Sequence, residues 1–129
     1  MSQDTSESDL SLFALSRELE AIADFRRLQY DLSQCTDVQS ETREVILHIC
    51  NPITRIALLH TAFMWHWTDD IGGMLVVSCE QQPKLVRQPR MVYELLAAVY
   101  TITRVTQVVI APGRVHLRFI WDGQRWQQA

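Results

Sequence analysis

Glycine is scarce in this chain. Only four occur in 129 residues: Gly72, Gly73, Gly113 and Gly123. Neither a GxGxxG turn nor a P-loop can be assembled from them, which excludes the common glycine-rich phosphate cradles. Cysteine is sparse too. Cys35, Cys50 and Cys79 are odd in number and widely spaced, and no CxxC pair occurs. Zinc-knuckle and dithiol redox motifs are therefore absent. Unpaired thiols of this kind read as reduced residues in a reducing compartment. No GxSxG, HExxH or EF-hand sequence is present. The opening residues, MSQDTSESD, lack the basic and apolar regions of a signal peptide. The most apolar stretch, residues 53–67, is interrupted by Arg55, His60 and His66 and is too short to span a bilayer. A cytoplasmic protein without membrane insertion is expected.

What is present is an ordinary globular composition, 47% hydrophobic, with a formal net charge of −3. The length suits one domain. Residues 1–8 read as a flexible acidic tail and 9–129 as a single α+β domain. Leu12, Leu15, Leu19, Ile22, Phe25, Leu28 and Leu32 recur at spacings of three and four, the stripe of a long N-terminal amphipathic helix. Residues 33–42 are polar and read as a connection. Arg43–Cys50 fits either helix or strand: Val45, Leu47 and Ile49 alternate as in a strand, but the run is short.

Asn51-Pro52 is a helix start, with Asn as cap and Pro at the first position. The residues that follow, Ile53 to Trp67, fit helical spacing and are apolar nearly all round. They predict a deeply buried central segment. A strand through Thr61–Trp67 followed by a hairpin is the competing reading. Met74–Cys79 is rich in β-formers. Pro89 opens a second helix to about Ile102, with Val92, Leu95, Leu96, Val99 and Ile102 on one face.

The C-terminal part predicts antiparallel β-hairpins. Asp122-Gly123 is a two-residue turn signal. It would set Trp121 opposite Gln124 and Phe119 opposite Trp126. Pairing Ala111 with Arg114 sets Ile110 against Val115 and Val108 against Leu117. One face then holds Val108, Ile110, Val115, Leu117, Phe119, Trp121 and Trp126 as core. The other carries Arg114, His116, Arg118 and Arg125. The order of helix, strands, helix and hairpin is similar to that of small acidic secretion chaperones, except that their usual C-terminal helix has no counterpart here.

Charge is segregated. Residues 1–44 carry ten acids and four bases, and residues 45–129 carry five acids and eight bases. Most of these bases are arginines, whose forked guanidinium suits carboxylates and phosphates. Arg87, Arg90, Arg114, Arg118 and Arg125 are therefore candidate partner- or anion-binding residues. Nucleic acid is compatible with such a face, but the overall acidity disfavours it. Phe63, Trp65 and Trp67 form a dense aromatic cluster, a candidate interface or ligand pocket. His48, Cys50, His60 and His66 have no metal-ligand spacing. His66 with Asp69 or Asp70 lacks a nucleophile or oxyanion site beside it. No catalytic residue, metal or cofactor is predicted. The sequence reads as a small non-enzymatic interaction protein, an adaptor, chaperone, regulator or accessory subunit that binds a protein partner and forms a homodimer. Two alternatives are a ligand-binding protein or small enzyme built on the Phe63–Trp67 cluster, and an anion-binding arginine face.

Overall fold

A computed structural model describes residues 2–79, 88–111 and 116–129, with side chains from Ser11 onward. Helix α1 spans Ser2–Gln34, so its first turns lie in the segment expected as a tail. Helix α2 is Thr36–Ile49 and α3 is Pro52–Leu59. Strands β1 (Thr61–Thr68) and β2 (Gly72–Cys79) follow. Helix α4 is Pro89–Thr103, and β3 (Gln107–Ala111), β4 (Leu117–Trp121) and β5 (Trp126–Gln128) complete the chain. The fold is α+β, as expected.

The five strands form one sheet in the order β1-β2-β3-β4-β5. Neighbours are antiparallel except β2 and β3, which are parallel. A parallel pair cannot be joined by a tight turn, and α4 lies in the crossover between them. The core is a sandwich of helices on one sheet face. Leu32, Ile46, Leu58, Leu75, Val77, Leu95, Leu96, Val99, Val108 and Ile110 fill it. In β2 every second residue is buried, and in β1 the same alternation holds with Thr61 and Trp65 buried and Phe63 and Trp67 half-buried, the mark of a sheet covered on one side.

Three expectations need correction. Residues 53–67 do not form one buried helix. Helix α3 stops at Leu59, His60 turns the chain, and β1 begins at Thr61. Thr61, Phe63, Trp65 and Trp67 all face the helix layer. A period of two achieves this, whereas a continuing helix would spread the aromatic side chains around its circumference. The competing strand is the one that forms. Nor is α3 deeply buried, since Ile53, Ile56 and Leu59 are 55–66% exposed. Residues 36–42 are helical rather than a connection, and the segment left open between helix and strand continues the same helix to Ile49. Val38, Thr42 and Ile46 recur every fourth residue, and this face meets the core.

The C-terminal pairings are shifted. Ile110 faces Leu117, Val108 faces Phe119, and Trp121 faces Trp126. The shift is even, so the inward set keeps its face, as a period of two requires. The last turn is longer than two residues because Asp122 organises it. The Asp122 Oδ1 accepts hydrogen bonds from the backbone N–H of Gln124 (2.8 Å) and Arg125 (2.9 Å). Gly123 supplies the φ of +101° that the turn needs.

Candidate functional site

Two of the candidate arginines, Arg87 and Arg114, lie outside the described residues. Arg118 projects from β4 on the face away from the helices, in a row with Met64, Val76 and Val109. Its guanidinium donates to Gln107 Oε1 at 2.9 Å. Arg125 does not join it. Arg125 sits in the β4–β5 connection and lines a cavity of about 590 Å³ with Tyr93 and Ala97 of α4, on the helix side of the sheet. The longer turn removes Arg125 from strand register, so the expected shared face is not built from these two residues. Arg90 is exposed in the first turn of α4.

Helix α1 packs on the opposite side of the sheet from Arg118. Gln29 of α1 is buried, and its Nε2 donates to the Thr103 carbonyl at 2.8 Å. Its Oε1 accepts the N–H of Gly73 at 3.2 Å. Glu18, Glu20 and Asp24 of the same helix therefore do not lie over Arg118 within one chain.

The Phe63–Trp67 cluster is the seam between helices and sheet. Trp65 is buried, with 7% of its surface exposed. Phe63 meets it edge-on with ring centres 6.3 Å apart, and the Arg43 guanidinium lies 5.3 Å from the Phe63 ring. Trp67 contacts Tyr30 of α1 at 5.8 Å and the Arg26 guanidinium at 5.7 Å. A second aromatic group, absent from the sequence reading, joins α4 to the last hairpin. Tyr100 stacks on Trp121 at 4.1 Å, and Trp126 meets both edge-on. Its signal was Tyr100, one turn beyond Leu96 and seven residues before β3.

Several charged side chains act as helix caps. Arg43 donates to the carbonyls of Leu58 and Thr61 at the end of α3. Arg55 donates to the carbonyls of Leu47, His48 and Cys50 at the end of α2. Glu94 accepts from the Asn51 N–H and from Thr54 Oγ1 at the start of α3. Cations at helix ends and an anion at a helix start agree with the helix dipole. The Arg43 and Glu94 partners are 15 to 43 residues away, which hides them from spacing rules. Buried Cys50 lies in the same region. Burial, and then the Glu94 carboxylate, push its thiol from the ordinary 9.0 up to about 11, against a smaller opposite effect of Arg55. Burial also raises Cys79. Thiols shifted this way are poor nucleophiles near neutral pH. Among the described residues no three His, Cys, Asp or Glu side chains group as a metal site. No helix among them is long and apolar enough to cross a membrane.

Large apolar side chains also remain outside the core. Of the fifteen exposed among the described residues, eleven belong to α1, α2 and α3. Leu12, Leu15, Leu19 and Ile22 form one stripe on α1, 52–63% exposed. Val45 and Ile49 share a face of α2 with a cavity of about 350 Å³ beside them, and Ile53, Ile56 and Leu59 lie along α3. Compared with family models, curated proteins and solved structures, the chain matches none.

Proposed function

We propose that this chain is a non-enzymatic protein-interaction protein, an adaptor, chaperone, regulator or accessory subunit that works by presenting apolar helix faces to a protein partner. The observation that carries the reading is the clustering of exposed apolar side chains on α1, α2 and α3. Scattered apolar residues are normal on a surface, but grouped ones mark interaction sites. The titratable groups with buried or short contacts, Arg43, Arg55 and Glu94, are engaged in helix capping. The aromatic cluster around Trp65 holds helices to the sheet.

The test is affinity capture from the native cell, compared between the wild type and Ile53→Asp/Ile56→Asp. Both side chains are exposed, so circular dichroism and the thermal midpoint should hardly change. A partner set recovered with the wild type should fall at least about tenfold with the variant, because a buried interfacial charge is costly. Equal recovery by both proteins would contradict the role of α3. A sample that arrives coloured or metal-loaded would favour a ligand-binding protein instead.

A further inference from the structure

Helix α1 is longer than the body it serves. It is 33 residues, and the side chains that reach the core come from its last third: Leu28, Gln29 and Leu32, with Phe25 half-buried above them. The preceding turns, to Ile22, run on for about 30 Å at 1.5 Å per residue. A helix of two or three heptads gains little stability from its own hydrogen bonds, so an apolar face on such a segment needs a covering surface.

The apolar residues of α1 form two faces, not one. At 3.6 residues per turn, Leu12, Leu15, Leu19 and Ile22 point roughly 110° away from Phe25, Leu28, Gln29 and Leu32. The second group meets the core. The first is the exposed stripe, and no rotation of α1 buries both against one sheet. Its spacing of three, four and three is that of a two-heptad seam.

Two properties of the stripe specify its occupant. The first is symmetry. Turned end over end about an axis level with Arg17, the stripe maps onto itself: Leu12 falls opposite Ile22 and Leu15 opposite Leu19. This is the self-complementarity that a closed two-fold contact requires. The second is charge. Residues 2–9 contain three acids and no base, whereas Arg26 and Arg27 follow the stripe at its other end. In the antiparallel register the acidic first turns of one copy lie level with Arg26 and Arg27 of the other. A cavity of about 370 Å³ opens at the same level, lined by Ile22, Phe25, Arg26, Tyr100 and Arg104 among others. Arg104 adds a second guanidinium there, 4.7 Å from the Tyr100 ring. Parallel pairing would instead bring the acidic turns together and align the two helix dipoles.

We propose that the first half of α1 pairs antiparallel with the same segment of a second copy, with Leu12 against Ile22 and Leu15 against Leu19, and that its acid-rich first turns run level with Arg26 and Arg27 of that copy. The proposal names one partner for one of the apolar faces described above and leaves α2 and α3 free for another protein.

Light scattering on the full chain at tens of micromolar, together with disulfide trapping, tests it. The wild type should show twice the 15.0 kDa chain mass. Leu15→Asp/Leu19→Asp should be monomeric, its dissociation constant raised by about a hundredfold or more, with an unchanged thermal midpoint and a circular dichroism that loses only the helical signal of the turns before Phe25. Arg26→Glu/Arg27→Glu should weaken the dimer in a salt-dependent way. For the register, both trapping chains carry Cys35→Ser, since Cys35 is exposed. Leu12→Cys chains mixed with Ile22→Cys chains should cross-link on oxidation. Leu12→Cys chains alone should not, because the antiparallel register holds those positions about 15 Å apart. A monomeric wild type, a dimer that survives Leu15→Asp/Leu19→Asp, or self-linking of Leu12→Cys chains overturns the proposal. A monomeric wild type that still captures a partner, and loses it with Ile53→Asp/Ile56→Asp, overturns the pairing but leaves the interaction reading intact.

Discussion

At the scale of single residues, the structure ties its separate elements together with polar side chains that have dual partners. Gln29 bridges the end of α4 and the start of β2 from inside the core. A Cβ built on Gly73 would stand 2.9 Å from Gln29 Cβ and 3.1 Å from its Cγ. Gly73→Ala should therefore destabilise the fold by about 1–3 kcal/mol through overpacking, read as a lower denaturation midpoint. Glu94 links α4 to the first turn of α3 and also raises Cys50. Glu94→Gln should cost about 1–3 kcal/mol in lost charge-assisted hydrogen bonds. It should also lower the Cys50 pKa toward its ordinary value, seen as faster alkylation at pH 9. The wild type has a pH signature of its own. Cys50 releases its proton near pH 9 when unfolded and near pH 11 when folded. Its contribution to stability is therefore complete below pH 9 and is lost as the pH rises to about 11. Cys50→Ala should remove that part of the decline in a series of denaturant titrations.

At the scale of elements, α1 from Leu12 onward, β2 and α4 were legible in the sequence because each has a clear apolar pattern, although α1 begins at Ser2, inside the segment expected as a tail. Pro89 opens α4, and Val92, Leu95, Leu96 and Val99 are buried as the spacing predicts. The start of α3 at Asn51-Pro52 was legible, but the start of α2 and the end of α3 were misread for a physical reason. The start of α2 has no side-chain cap, since Cys35 occupies the N-cap position. The end of α3 has no glycine, and Arg43 from α2 closes it instead. Both boundaries depend on tertiary contacts. The α1 stripe was legible as apolar, but reading it as a single face merged the core-facing turns with the exposed ones. The last hairpin kept its faces and shifted its register because the Asp122 carboxylate lengthened the turn. The placement of α1 also decides a prediction at this scale. Its acids lie across the sheet from Arg118, whose bonded partner is Gln107. Arg118→Glu should leave stability within about 0.5 kcal/mol of wild type. A thermal midpoint several degrees lower would mean that an internal anion had been missed.

At the scale of the whole molecule, the helices cover one sheet face and carry most of the exposed apolar residues on their own outer sides. Core and surface substitutions on α3 should therefore separate sharply. Leu58, fully buried between Ala57 and exposed Leu59, should cost about 2–5 kcal/mol when changed to Ala. Ile56→Asp, two residues earlier on the exposed side of the same helix, should leave the unfolding midpoint almost unchanged. Under the proposed function, the outer helix faces serve contact and not folding. Hydrogen exchange along α1 tests that claim most directly. The turns from Ser11 to Ile22 touch no core, so in an isolated chain their amides should exchange almost as fast as an unfolded peptide, while those from Leu28 to Leu32 stay protected. As the protein concentration rises to tens of micromolar, the amides of residues 11–22 should gain protection together, and Leu15→Asp/Leu19→Asp should abolish the gain. Fast exchange across residues 11–22 at every concentration, and also with captured partner protein present, would contradict the account.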